Sequence, residues 1–185
     1  MSVNDPKLNR RAILLGAVLL VGGAAALTRF TRGSKAGANR GPALSSEQFA
    51  LLEQVADVII PATDTPGAIG AGVPVFMRDM LDGWASKRTR AEFAGVLERI
   101  EKLAWSRYGA AFIELPPERR LEVMRAFDAD ALGRQDPAYG RFKYLVLAGY
   151  YQSETGATQE LRFELVPGAW RSCLPLNEVG RASAV

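Results

Sequence analysis

The sequence predicts a mostly α-helical protein: a single domain of about five helices with an irregular C-terminal arm, preceded by an N-terminal export leader. Three observations lead to this prediction. Apolar residues recur every three or four positions through much of the chain between residues 44 and 156. Proline and glycine divide that part of the chain into segments of helical length. Ahead of it, a pair of arginines precedes an uncharged apolar run.

Residues 1–38 are predicted to form the leader and a tether, and residues 39–185 the helical domain. Arg10 and Arg11 precede the uncharged run 12–28, which is rich in Gly and Ala and only about as long as the shortest membrane spans. The small-residue stretches 24–26 and 36–38 each offer a cleavage pattern typical of secretory signals. The segment "NRRAILL" resembles the twin-arginine export signal, although Asn and Ile replace the usual Ser or Thr and Phe. An uncleaved signal anchor is the alternative, and both place the domain outside the cytoplasm.

The charge of the chain is concentrated in the leader. The full sequence carries a formal charge of +3, but residues 1–38 hold six Lys or Arg and one Asp, so the remainder has 17 bases and 19 acids. A domain with a net charge of −2 is not expected to bind nucleic acid, because phosphate contacts require a basic surface. The remaining chain is long enough for one domain with its own core.

The first two helices are indicated by capping and proline signals. Ser45 and Gln48 have capping-box spacing, so a helix is predicted to start near Ser46 and to end at Pro61. Leu44 and Phe49 have the spacing of a hydrophobic staple. The apolar stripe of the helix consists of Phe49, Leu52, Ala56 and Ile59. The sequence "PATDTPGAIGAGVP" is predicted to be a loop. With Pro74 in its first turn, a second helix is predicted over residues 75–84.

Three further helices follow the same logic. Thr89 and Glu92 repeat the capping-box spacing before a third helix, which is predicted to stop at Gly109. A fourth helix is predicted to open at the proline pair 116–117, with Leu121, Met124 and Phe127 on one side, and a fifth to lie between residues 137 and 156. Beyond it, Leu161, Phe163 and Leu165 alternate with charged residues, which predicts a short strand or extended arm.

No catalytic, cofactor-binding or metal-binding residue is predicted in this chain. Histidine is absent and cysteine occurs once, which excludes Ser–His and Cys–His nucleophile systems. Glu53 and Asp57 are an acidic pair four residues apart, and a polar helix face explains them better than a proton-sharing or cation site. The loop "GAIGAG" has the glycine order G-x-x-G-x-G and no surrounding βαβ unit, so it does not indicate a dinucleotide site.

Two segments resemble a known family. In "LLEQVADVIIPATDTPGAIGAGVPVFMRDML" and "GYYQSETGATQELRFELVPGAWRSC", several short motifs follow one another in the order seen in the small subunit of gluconate 2-dehydrogenase and its relatives. The matching positions are 57–61, 66–68, 71–74, 149–156 and 167–173. Residues 85–136 are similar to the family only in helical character.

The resemblance implies a role in a complex. In that family, the twin-arginine leader of the small subunit is thought to carry a leaderless flavoprotein through the Tat translocase as a folded pair. The partner is similar to glucose-methanol-choline dehydrogenases: it binds FAD, oxidises a sugar, sugar acid or polyol in the periplasm, and passes electrons to a cytochrome c. The resemblance transfers no catalytic residue to this chain. It implies FAD in the partner and no cofactor here.

Four residues of the second segment are candidates for contact with such a partner. Tyr150, Tyr151 and Trp170 are interface candidates, because Tyr and Trp often dominate interface energetics, and core packing is the alternative for all three. Cys173 is a lone cysteine in an exported chain, which indicates an intermolecular bond, with a buried free thiol as the alternative. The family resemblance favours a disulfide between Cys173 and the catalytic subunit.

Two other functions are compatible with the sequence. One is a membrane-anchored helical binding protein of the periplasm, and the other is a small hydrolase that uses Asp or Glu. A flavin dehydrogenase gene beside this one favours the subunit hypothesis, whereas activity in the purified chain favours the hydrolase.

Overall fold

The computed structural model describes residues 41–164, 168, 173, 175, 177 and 180–184. The chain divides into the units Met1–Arg40 and Gly41–Val185, and all described elements belong to the second. They are α1 (Ser46–Ile59), α2 (Val73–Gly83), α3 (Lys87–Tyr108), a 3₁₀ turn (Phe112–Glu114), α4 (Pro117–Gly133), α5 (Pro137–Tyr151), a π-helical turn (Gly156–Glu160), β1 (Arg162–Phe163) and β2 (Ser183–Ala184). The predicted mostly α fold is confirmed.

Helix α1 begins where the capping box predicts. The Ser45 hydroxyl accepts the backbone N–H of Gln48 at 3.1 Å, and the Gln48 side chain accepts the backbone N–H of Ser45 at 3.1 Å. Leu52 and Ala56 of the predicted stripe are fully buried, whereas Phe49 and Ile59 are half-buried at its margins. The helix ends at Ile59, directly before the Ile60-Pro61 pair, as predicted.

Helix α2 starts two residues earlier than predicted. Gly72 takes a left-handed conformation, φ 73°, immediately before the helix, and glycine adopts this conformation without steric cost. Val73 and Pro74 then form the first turn, and both are buried. Placing Pro74 in the first turn was therefore correct, and the backbone reversal at Gly72 sets the start.

The capping box predicted at Thr89 and Glu92 is wrong. Helix α3 begins at Lys87, and its cap is Ser86, whose hydroxyl accepts the backbone N–H of Thr89 at 3.1 Å. Glu92 instead pairs with Arg88 at 2.9 Å and with Arg141 of α5 at 2.5 Å. Hydrogen bonds from these two guanidinium groups hold the pKa of Glu92 below its usual value. The predicted stop is confirmed, since Gly109 caps the helix in a left-handed conformation.

The last two helices open on proline, and the chain then becomes irregular. Helix α4 starts at Pro117 and α5 at Pro137, as predicted. Helix α5 ends at Tyr151, earlier than expected, and the chain makes a π-helical turn before β1. The predicted strand is confirmed only over Arg162–Phe163, which pair in parallel with Ser183–Ala184.

A single apolar core lies between the five helices. Helix α3 contacts α1, α4 and α5, while α2 packs against α1 and α5. Phe93 and Phe142 join α3 to α5 with ring centroids 5.6 Å apart, and Phe127 meets Tyr139 edge to face at 5.1 Å. No helix among the described residues is long and apolar enough to cross a membrane.

Candidate functional site

The two segments that carry the family resemblance are in direct contact. The Tyr150 hydroxyl, at the end of α5, donates a hydrogen bond to the Pro66 carbonyl at 2.9 Å. At the neighbouring position, a Cβ on Gly149 would lie 2.8 Å from the Phe76 ring and 3.4 Å from the Val73 side chain. The absence of a side chain at Gly149 therefore lets α5 approach α2 closely. We call this contact the motif junction.

The loop before α2 is shaped by Gly67. A Cβ at this position would lie 2.5 Å from the Ala62 nitrogen and 2.7 Å from the Ile60 carbonyl oxygen. The Ala68 N–H donates to that same carbonyl at 2.8 Å, and the Val73 N–H donates to the Ala68 carbonyl at 3.0 Å. Gly67 thus permits a compact loop that buries Ala68 completely. The predicted loop is confirmed; Gly67 permits its close packing, and Gly72 permits the left-handed turn into α2.

The turn after α5 has an equally strict steric requirement. The Ser153 hydroxyl donates to the Tyr150 carbonyl at 2.6 Å and accepts the Gly156 N–H at 3.0 Å. A Cβ on Gly156 would lie only 2.0 Å from the Tyr150 carbonyl oxygen. The backbone therefore folds back onto the end of α5, and Ser153 satisfies polar groups that the helix end leaves free.

The two adjacent tyrosines, Tyr150 and Tyr151, differ in their exposure to solvent. Tyr150 is only 2% exposed, so its ring belongs to the core and the prediction that it contacts a partner is corrected to its core alternative. The reason is its position four residues after Val146, on the side of α5 that faces the core. Tyr151 is 43% exposed and stays an interface candidate. Trp170 lies outside the described residues, as do Arg10 and Arg11.

Cys173 is exposed and is unpaired within the described part of the chain. Its backbone is left-handed, φ 58°, a conformation that residues other than glycine seldom adopt. The buried free thiol considered as the alternative is therefore wrong for this structure. An exposed cysteine is available to a second chain, and its disulfide with a partner stays a prediction.

The most enclosed ionisable group is Tyr139 of α5. Its hydroxyl donates to Asp128 of α4 at 2.7 Å, and Lys143 donates to the same carboxylate oxygen. Burial, followed by the neighbouring carboxylate, raises the pKa of Tyr139. Burial also acts to raise the pKa of Asp128, but the hydrogen bonds from Lys143 and Tyr139 outweigh it and leave that pKa below its usual value. Neither group is poised for proton transfer near neutral pH, so the cluster serves to join α4 to α5.

The acidic pair of α1 lacks a third metal-binding side chain among the residues that the structure describes. Glu53 and Asp57 are half-buried rather than fully exposed as a polar face. Within the described ranges there is no group of three or more Cys, Asp or Glu side chains that could hold a metal ion. Their half-buried position places Glu53 and Asp57 at the edge of the solvent-exposed side of α1.

Several large apolar side chains are exposed, and most of them could not be assigned a role from the sequence. Trp84 at the end of α2, Trp105 on α3 and Tyr144 on α5 are 81%, 53% and 69% exposed. This exposure places both tryptophans outside the core. For Trp105 the helical period was informative, because it falls outside the buried series 93, 96, 97, 100 and 104.

These features define a small, mostly α-helical domain with one apolar core, in which an early loop contacts the end of a late helix. The chain belongs to the gluconate 2-dehydrogenase subunit 3 family, whose family model matches residues 46–168. The match includes helices α1 to α5 and both sides of the motif junction. Neither a curated protein nor a solved structure matches the chain.

Proposed function

We propose that this chain is the non-catalytic small subunit of a periplasmic, membrane-associated dehydrogenase complex. Its partner is an FAD-dependent enzyme of the glucose-methanol-choline type that oxidises a sugar, a sugar acid or a polyol. The observation that carries the proposal is the family match over residues 46–168, because the family is described as a subunit of gluconate 2-dehydrogenase.

The small subunit aids the folding of its partner and exports it. The arginine pair of the leader directs the folded complex to the Tat translocase, so the partner needs no leader of its own. The described domain suits this order of events, because its core consists of apolar side chains. Such a core forms by burial of apolar surface alone, in the reducing cytoplasm and before export.

In the complex, redox chemistry belongs to the partner. FAD is bound by the catalytic subunit, and electrons leave through a cytochrome c subunit. This chain supplies contacts, for which Tyr151 and Trp170 are candidates, and after export Cys173 forms a disulfide with the catalytic subunit. The exposure of Tyr151 and Cys173 supports these assignments.

Co-export tests the proposal. The chain is co-expressed with a glucose-methanol-choline-type flavin dehydrogenase from the same genome, and both are followed in periplasm and cytoplasm by immunoblot and flavin absorbance. We expect the wild-type pair in the periplasm as a yellow complex, and both proteins in the cytoplasm when Arg10→Lys and Arg11→Lys are combined. The matched control is Arg29→Lys with Arg32→Lys in the tether, which should export normally. A partner that reaches the periplasm equally well with the Arg10/Arg11 variant would contradict co-export.

A further inference from the structure

A groove of about 580 Å³ opens on the surface, and none of its lining residues belongs to the motif junction. Its sides are the first half of α1, the second half of α3 and the turn that follows α3. The residues that line it are Glu47, Gln48, Leu51, Glu98, Glu101, Lys102, Trp105, Ala111 and Ile113. We call it the α1/α3 groove.

One wall of the α1/α3 groove is fixed by hydrogen bonds from two helices. The Glu101 carboxylate of α3 accepts the Phe112 N–H, with nitrogen–oxygen distances of 3.1 and 3.3 Å. Arg120 of α4 donates to the Ile113 carbonyl at 2.7 Å and also to the Gln54 side chain of α1. Phe112 is completely buried in the core, and this packing also holds the turn in place. These hydrogen bonds restrain the turn, and a restrained site loses less entropy on binding.

The chemistry of the groove is apolar inside and acidic at the rim. Trp105 and Ile113 are 53% and 45% exposed, although both belong to residue types that gain from leaving water. Three glutamates and one lysine lie among the lining residues. Glu47 and Glu98 are exposed and form no ion pair with any residue of the described part of the chain. An occupant that brings both apolar surface and positive charge would complement this arrangement.

We propose that the α1/α3 groove is a docking site for the catalytic dehydrogenase subunit, and this inference rests on the proposed function. The groove receives a segment of that subunit in which an aliphatic or aromatic side chain is flanked by Lys or Arg. The apolar side chain packs against Trp105 and Ile113. The basic side chains approach Glu47 and Glu98 at the rim.

Charge complementarity argues against a second copy of this chain as the occupant. A symmetric dimer formed through the groove brings the same surface of two protomers together. Each surface carries three glutamates and one lysine, so negative charge would be in excess across the interface, which is unfavourable. A basic segment of a different protein meets no such repulsion.

Matched tryptophan variants test the groove. In a Cys173→Ser background, which removes any disulfide, the dissociation constant between this chain and the co-expressed flavin dehydrogenase is measured for wild type, Trp105→Ala and Trp84→Ala. Trp105→Ala should weaken the complex by at least about tenfold, as expected for a central aromatic anchor. Trp84→Ala should leave it within about twofold, because Trp84 is more exposed yet lies outside the groove. Far-UV circular dichroism verifies that both variants fold.

Charge neutralisation gives a second readout. Glu47→Gln with Glu98→Gln should weaken binding and reduce its dependence on salt concentration. The control is Glu118→Gln with Glu154→Gln, in which Glu118 occupies the first turn of α4 as Glu47 does that of α1. This control should leave both the affinity and its salt dependence unchanged.

The outcomes separate the inference from the proposed function. A stable flavin-containing complex that Trp105→Ala does not weaken overturns the groove assignment and leaves the subunit role intact. A wild-type chain that binds no flavin dehydrogenase overturns both. Dimers of the isolated chain in light scattering, lost in Trp105→Ala and kept in Trp84→Ala, would identify a second copy as the occupant and also overturn the inference.

Discussion

Tyr150 and Pro66 are 84 residues apart in the sequence, yet the tyrosine hydroxyl donates to the proline carbonyl at 2.9 Å. This hydrogen bond joins the two segments by which the family is recognised. The Tyr150 ring is buried and the hydrogen bond is partly buried, so water competes for the Pro66 carbonyl less than it would at a fully exposed site. The motifs are therefore linked through their role in the fold, whichever of their exposed residues contact a partner.

Tyr150→Phe should lower the free energy of unfolding by about 1 kcal/mol, the usual net value of one hydrogen bond, or somewhat more if the Pro66 carbonyl is left without a partner. The control is Tyr151→Phe, which removes a hydroxyl from an exposed ring and should change stability by less than about 0.5 kcal/mol. Urea unfolding followed by circular dichroism measures both. Equal stabilities of the two variants would show that the Tyr150 hydroxyl contributes nothing.

Glycine-to-alanine changes should have opposite signs at two positions. Gly156→Ala places a Cβ 2.0 Å from the Tyr150 carbonyl oxygen, so the backbone must shift, and we expect a loss of roughly 1–3 kcal/mol. Gly95, in the interior of α3, has nothing within 4 Å of a Cβ, and Gly95→Ala should add about 0.5–1 kcal/mol through helix propensity. Thermal unfolding of both variants is the measurement. A neutral Gly156→Ala variant would contradict the steric argument.

Local signals determined how much of the fold could be predicted. The capping box at Ser45 and Gln48 was predictable because both partners lie within one turn. Thr89 and Glu92 have the same spacing but fail, since Ser86 caps α3 first and Glu92 pairs with Arg141, 49 residues away. A contact between residues that far apart cannot be predicted from the four-residue spacing of a capping box.

The candidate site shows the same limit. Helical periodicity could have assigned Tyr150 to the core, because Phe142, Val146 and Tyr150 are four residues apart and all buried. The α1/α3 groove could not be predicted, because it exists only once α1 lies beside α3 and the turn after α3 closes one end. Residues such as Trp105 acquire their role from that tertiary arrangement.

Asp136 should stabilise the domain in a pH-dependent manner. It caps α5 by accepting the N–H groups of Ala138 and Tyr139 at 2.9 and 3.3 Å, and it pairs with Arg99 at 2.6 Å. Burial acts to raise the pKa of Asp136, but the hydrogen bonds from Arg99 and the two backbone amides outweigh it and leave that pKa below its usual value. A carboxylate with a lowered folded-state pKa contributes stability at pH values above the unfolded pKa of about 3.9. That contribution is lost as the pH falls through the folded-state value.

Asp136→Ala should therefore lower stability at pH 7 by about 1 kcal/mol, a common cost of losing an N-cap. The difference from wild type should persist down to about pH 5 and shrink below about pH 4. Chemical denaturation at a series of pH values measures it. Asp130→Ala is the control, since the ion pair of Asp130 with Arg134 is exposed, and exposed pairs contribute little. A difference between wild type and Asp136→Ala that stays constant to about pH 3 would exclude the ionised carboxylate as its source.

Cys173 should form a disulfide with the catalytic subunit after export. The thiol is exposed, on a segment beyond α5, and the periplasm, to which we propose the chain is exported, is an oxidising compartment that favours disulfides. On the proposed route of co-export the bond is not needed for docking, because the subunits associate in the reducing cytoplasm before export. It acts by keeping two associated chains together, so it should matter most when the complex is diluted or heated.

A non-reducing gel of the periplasmic complex, prepared with an alkylating agent that prevents thiol exchange, tests this disulfide. We expect one band at the summed mass of the two subunits. Reductant, or Cys173→Ser, should resolve it into two bands. Serine is nearly the same size as cysteine and the position is exposed, so the variant should keep the fold and the flavin spectrum of the complex while dissociating more readily on dilution. Two separate wild-type bands without reductant would rule the bridge out, and a band at twice the mass of this chain would show that Cys173 pairs with a second copy.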